Sequence, residues 1–224
     1  MKFKNTKVMN FEGAFRGMRN PKESWGLSDS QESLVLTYDD DGKITAYREN
    51  YVIGEKDLGL AKRLIAGGSP HRKFLRQILV SVDISAPEYL WSQLDTYKVG
   101  TVANSTSKMH KLASTPITLE CFETDDFDKE IFDPTPLINR LEALRQAYLQ
   151  TKDKRYWKEL VRWLPEGWVQ TRTMTMNYEV IRQMCFWREG HKLSEWKSFI
   201  DWAHTLPYAD DLIFYANEKE GARE

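Results

Sequence analysis

The chain has 224 residues, with 32 basic and 33 acidic side chains and a formal charge of −1. That balance argues against a general nucleic-acid or membrane-surface binder, while leaving room for a local basic site. Cys121 and Cys185 form no zinc motif or disulfide framework, and no apolar run approaches the roughly 20 residues of a membrane span. The opening residues Met1-Lys2-Phe3-Lys4-Asn5 lack the apolar stretch of a secretion signal, so a cytoplasmic protein is expected. No Gly/Ser- or Pro-rich linker interrupts the chain, so a single domain over residues 1–224 is expected.

Leu34-Val35-Leu36-Thr37-Tyr38 and Ile44-Thr45-Ala46-Tyr47 flank Asp39-Asp40-Asp41-Gly42-Lys43, which reads as a hairpin closed at Asp-Gly. The aspartates do not have EF-hand spacing. Residues 56–66 read as a short helix stopped by Gly67-Gly68 and Ser69-Pro70. Residues 78–84 are the clearest strand, with Ile78, Val80, Val82 and Ile84 on one face and Gln77, Ser81 and Asp83 on the other. Ala86-Pro87 ends it, and residues 88–94 read as a helical turn. Thr135-Pro136 opens a helix, with the hydroxyl as N-cap and Leu137, Leu141, Leu144 and Tyr148 at helical spacing. A second helix covers 156–164, an extended run 168–176 and a third helix 178–187, whose inner face is Val180, Ile181, Met184 and Cys185. Ser194 caps a fourth helix carrying Trp196, Phe199, Ile200 and Ala203, and the charged tail at about 217–224 is expected to fray. Strands early and helices late predict an α+β class: an antiparallel sheet with packed helices.

Residues 96–110, Thr-Tyr-Lys-Val-Gly-Thr-Val-Ala-Asn-Ser-Thr-Ser-Lys-Met-His, are rich in hydroxyls, amides and cations around one glycine. This composition suits a loop against an anionic, hydrogen-bonding ligand, or a polar loop satisfied by its own backbone. Asn177 and Arg188 stand at opposite ends of the third helix, about three turns apart, and can share a face. Arg188 suits a C-terminal helix contact or a carbonyl or phosphate in a cleft. The four histidines lack zinc-site spacing, and Asp125-Asp126-Phe127-Asp128 reads as a solvated acidic loop, so no metal is expected.

Taken together, these pieces resemble the flavin-dependent thymidylate synthases. That family carries Arg-His-Arg, two residues, Ser, one residue, Asn-Glu, one residue, Ser, one residue, Arg-Tyr, after an Ala-Pro-like corner and a Gln. Here Ala86-Pro87 is followed by Gln93 at the family distance, and Thr96-Tyr97-Lys98 stands at Arg-His-Arg. Thr101 takes the first Ser position. After one extra residue, Asn104-Ser105 replaces Asn-Glu, Ser107 matches the second Ser and Met109-His110 replaces Arg-Tyr. Farther on, Arg162 precedes Leu164-Pro165 one residue nearer than the family Arg, with Val161 at the strict position. Thr175-Met176-Asn177, Arg188 and His191 follow in the family layout. Glu179 and Gln183 stand where the family has Arg and Asn. The resemblance spans about residues 69–195 and leaves the N-terminal hairpin region, about 1–55, outside it.

The resemblance implies transfer of a one-carbon unit from methylenetetrahydrofolate to C5 of dUMP, with reduced FAD supplying the hydride. It implies catalytic roles for Arg188 and Ser107. It also implies a nucleotide set of Gln93, Thr101, Asn104, Ser105, Ser107, Lys108, Arg162 and Arg188. Tyr97, Lys98, Asn177 and His191 would face FAD, and the assembly would be a homotetramer. The alternative is a non-catalytic protein that binds or sequesters a nucleotide on the same fold. A nucleic-acid module using Lys98, Lys108, Lys111 and Tyr97 is the third reading, and the net charge disfavours it.

Overall fold

The computed structural model describes residues 1–215, and the tail expected to fray lies outside the described residues. The expected class is observed: an antiparallel sheet with packed helices. Four strands form one sheet in the order β1-β4-β6-β5. They are β1 (Lys2–Met9), β4 (Leu79–Pro87), β5 (Val102–Ser105) and β6 (Val169–Asn177). A separate two-stranded ribbon pairs β2 (Gln31–Tyr38) with β3 (Ile44–Val52). The helices are α1 (Phe11–Arg19), α2 (Glu55–Ala66), α3 (Glu88–Leu94), α4 (Lys108–Lys111), α5 (Thr135–Thr151), α6 (Lys154–Arg162), α7 (Tyr178–Trp187), α8 (Ser194–His204) and α9 (Ala209–Leu212).

The period-two pattern of the clearest predicted strand becomes β4. Val80, Val82, Ile84 and Ala86 are buried, whereas Leu79 is 37% exposed. Its pairing with β6 is antiparallel. Glu88 N–H donates to the Trp168 carbonyl, Ser85 meets Thr171 and Thr173 donates to Asp83. At the other end of the pair, Tyr178 N–H donates to the Ile78 carbonyl. The hairpin turn is closed by Asp39, whose carboxylate accepts the Lys43 N–H at 2.8 Å. Gly42 there has φ +76°, a backbone conformation glycine adopts without strain.

Residues 2–9 and 11–19, assigned no element from sequence, form β1 and α1. Two helix starts also differ in detail. Pro136 sits in the first turn of α5 as expected, but the helix has no side-chain N-cap, and Asp133 takes the Thr135 N–H at 3.0 Å. Helix α8 begins at Ser194 itself, without a side-chain cap.

The chain divides into two compact units. The first comprises Met1–Asn5, Val82–Lys98 and Val102–Met174. Its helical core is Leu112, Ile117, Leu141 and Leu160, with Phe122 and Trp168 packed against them. Helices α5 and α6 meet there because Leu141 and Leu160 fall on their apolar faces. Asp153 separates the two by capping α6, accepting the Arg155 N–H at 2.9 Å. The second unit comprises Thr6–Ser81, Val99–Thr101 and the chain from Thr175. Phe11 lies at its centre, stacked on Tyr51 at 6.1 Å and edge-on to Tyr178 and Tyr208 at 5.8 Å. The inner face of α7 is the expected one, Val180, Ile181, Met184 and Cys185, joined by Tyr178 and Arg182.

Candidate functional site

Within the first unit, the polar segment after α3 is partly strand. All four residues of β5 are exposed, and the chain beyond stays attached to β6. Thr106 N–H donates to the Thr171 carbonyl at 2.9 Å, and the Gln170 amide donates to the Thr106 carbonyl at 2.7 Å. A sheet edge offers unpaired backbone groups, and this segment supplies partners for them. Asn104 and Ser105 are exposed on β5, whereas Ser107 is half-buried just before α4. Gln93 is half-buried on α3, Tyr97 is buried and Lys98 is exposed. The Lys108 ammonium lies 3.1 Å from Glu88 Oε1. Arg162 stands exposed on α6 and pairs with Glu159, which also accepts the Trp163 indole N–H at 2.9 Å.

The second unit holds Thr101, Asn177, Arg188 and His191. Asn177 is the N-cap of α7, its side-chain oxygen accepting the Val180 N–H at 3.0 Å. Gly100 comes close to it with φ +81°. A Cβ at Gly100 would meet Asn177 Nδ2 at 2.8 Å, so only glycine fits. Arg188 ends α7 with its guanidinium 4.9 Å from the Trp196 ring centre. His191 approaches the same ring edge-on at 6.3 Å. Its Nδ1 accepts the Leu193 N–H at 3.1 Å, which puts the proton of the neutral ring on Nε2. The structure thus brings Arg188 and His191 together, and both line a cavity of about 500 Å³ with Lys192, Ser194, Lys197 and Ile200. Glu179 holds the buried Arg72 through both carboxylate oxygens, at 3.0 and 2.9 Å, while Gln183 is exposed.

A larger cavity, about 700 Å³, also lies in the second unit and contains none of the residues nominated from sequence. Its rim carries Lys22, Lys56, Arg63, His71 and Lys73, all exposed, and among the described residues no carboxylate lines it. Its apolar wall includes Met18, Leu60, Leu64 and Phe74. Lys56, Leu60, Arg63 and Leu64 share one face of α2, so a single helical stripe supplies both cations and floor. The rim also draws on the turn after α1 and on His71 and Lys73. The spacing on α2 and the run His71-Arg72-Lys73 were the only traces visible in sequence.

Arg19 reaches the same cavity, but its charge is already neutralised. Its guanidinium is 2.5 Å from the carboxylate of Asp57, which is fully buried. Ser28 and Ser30 hydroxyls donate to the other Asp57 oxygen at 2.6 Å each. Burial pushes the Asp57 carboxyl up. The hydrogen bonds from Ser28, Ser30 and Arg19, with the Arg19 charge, outweigh it and hold the group below the usual carboxylate range. Among the described residues, that leaves the cations Lys22, Lys56, Arg63 and Lys73, with the His71 imidazole, facing the cavity. They suit an organic anion with a flat or apolar body, such as a phosphorylated nucleotide. Burial pushes the Cys185 thiol up to about 12, which removes it as a nucleophile at neutral pH.

No family model matches the chain, and no curated protein matches it. Solved structures do. The flavin-dependent thymidylate synthase ThyX from Helicobacter pylori, complexed with FAD and dUMP, aligns with a TM-score of 0.67 and 16% identity. The alignment covers 95% of this chain and 98% of that one. A second structure of thymidylate synthase X from Helicobacter pylori with FAD and dUMP gives 0.67 and 16%, covering 95% of this chain and 97% of the other. The chain therefore has the fold of these flavin-dependent thymidylate synthases.

Proposed function

We propose that this protein binds a pyrimidine nucleotide together with a flavin dinucleotide and methylates dUMP. The observation that carries the reading is the 700 Å³ cavity, rimmed by five basic side chains over an apolar wall, on a fold shared with proteins crystallised with FAD and dUMP. Phosphates find cations at Lys22, Lys56 and Lys73, and a flat ring finds Phe74, Leu60 and Leu64, so this cavity fits a phosphorylated ligand with a flat ring such as a flavin dinucleotide, at residues other than Tyr97, Lys98, Asn177 and His191, to which the family resemblance points. When bound, the flavin supplies the hydride. Arg188, in the second unit, offers paired donors to negative charge on a pyrimidine, while Ser107 and Gln93, in the first, offer a hydroxyl and an amide suited to a nucleotide. Lys98, the one cation in Thr96-Tyr97-Lys98, contributes charge without the bidentate fork of arginine. The same reading includes a cytoplasmic homotetramer.

The test is direct. Purified protein is titrated with FAD, riboflavin, dUMP and deoxyuridine while its unfolding midpoint is followed. A specific ligand at about 100 times its dissociation constant adds about 2.7 kcal/mol. The expected result is stabilisation by FAD and dUMP beyond their unphosphorylated counterparts, loss of the FAD preference in Lys56→Ala/Lys73→Ala, and dTMP formation with methylenetetrahydrofolate and a reductant. No stabilisation by any phosphorylated nucleotide overturns the reading. Light scattering that returns 26.3 kDa rather than four times that mass overturns the tetramer.

A further inference from the structure

One ion pair in the first unit is weakly made on one side and backed by a fixed charge on the other. Lys108 Nζ lies 3.1 Å from Glu88 Oε1, their side chains being 39% and 15% exposed. That oxygen is buried, and among the described residues it receives no well-formed hydrogen bond. The contact is therefore Coulombic, without the directional component that makes charged hydrogen bonds strong. The other oxygen, Glu88 Oε2, lies 4.0 Å from the Arg172 guanidinium.

Arg172 is held firmly. It donates to both oxygens of Asp95 at 2.9 and 3.1 Å and to Gln170 Oε1 at 2.9 Å. Its guanidinium also lies 4.3 Å from the Trp91 ring centre. If the Lys108 ammonium leaves, Glu88 still faces a fixed cation and is not stranded. Lys108 itself sits on a four-residue helix directly after Ser107 and carries its charge on a flexible four-carbon stem.

We propose that Lys108 is an exchangeable anion-capture residue, held by Glu88 until a phosphate takes the place of the carboxylate. This rests on the reading that the segment around Ser107 is the nucleotide side. Glu88 then sets affinity by competing with the ligand for Lys108. Arg172 acts only through Glu88, as a positioning residue.

The test compares dUMP with deoxyuridine by calorimetry in the wild type, Glu88→Gln, Lys108→Met and the double variant. Glu88→Gln should tighten dUMP by about two- to fivefold, the worth of a partly exposed ion pair, and leave deoxyuridine unchanged. Loss of an acidic residue from the first turn of α3 costs some stability, and such damage cannot tighten binding. The gain should vanish in the Lys108→Met background. A gain that persists there is a general field effect and overturns the proposal, as does unchanged or weaker dUMP binding by folded Glu88→Gln. If the wild type binds no dUMP, the functional reading falls and the exchange is read separately. Lysines are ¹³C-methylated, the Lys108 resonance is identified by its loss in Lys108→Arg, and inorganic phosphate is added. A Lys108 shift at lower phosphate in Glu88→Gln than in wild type upholds the exchange. The absence of any shift overturns it.

Discussion

Replacing Asp57 by Asn keeps the shape of the side chain and removes one buried charge. Arg19, itself only 5% exposed, then loses the counter-ion at 2.5 Å. It keeps two neutral acceptors, the carbonyls of Ser24 and Leu27, each at 3.2 Å. Breaking a buried pair on one side costs about 3–5 kcal/mol, and the surviving carbonyl contacts place this case near the lower end, at about 3 kcal/mol. That is a large part of a typical total of about 5–15 kcal/mol. Urea unfolding followed by circular dichroism measures it. With a slope of about 3 kcal/mol/M, the midpoint should fall by about 1 M. The double variant Arg19→Met/Asp57→Leu removes both charges and should cost much less than the two single changes together. The Asp57 carboxyl is held below its ordinary value, so its stabilisation is complete above that value and fades as pH falls below it. Asp57→Asn should therefore flatten the acid side of the stability curve. A loss under about 1 kcal/mol, or a double variant as costly as the sum, would refute the account of Asp57 as the counter-ion that keeps Arg19 out of the cavity chemistry.

Arg188→Lys should weaken dUMP binding by about 1.5–3 kcal/mol in calorimetry while the unfolding midpoint barely moves. Unchanged affinity would reduce Arg188 to the end of α7 and its stack on Trp196. Glu142 gives the clearest pH signature. Hydrogen bonds from Arg145, at 2.7 and 2.6 Å, are the main cause that holds its carboxyl down to about 2 from 4.5, with the Ile117 N–H assisting against burial. Its contribution, at most about 3 kcal/mol, is complete above pH 4.5 and disappears as pH falls toward 2. Wild type and Glu142→Gln should therefore differ in urea midpoint near neutrality and converge at the acid end, and a constant difference would refute the assignment.

Local pattern alone determined much of the scaffold. Strict alternation specified β4, because a strand exposes successive side chains to opposite faces. Apolar spacing specified α5, α6 and α7, and Asp-Gly between two β-rich runs specified the hairpin. The family layout from Ala86-Pro87 to His191 pointed to the fold that the solved structures share. The N-terminal strand was not legible, because β1 carries Lys-Phe-Lys-Asn-Thr-Lys-Val-Met, mostly exposed, and owes its conformation to pairing with β4. Residues 102–105 were likewise read as part of a polar loop, since their strand character comes from the edge of β6. The charge assignments depended on tertiary structure most of all. Arg19 and Lys56 look alike in sequence and line the same cavity, yet one is neutralised by a buried aspartate 38 positions away and the other stands exposed on the rim. Arg172 meets Asp95 across 77 positions. A cation's availability is set by what lies within a few ångströms of it, and chain folding alone decides those neighbours.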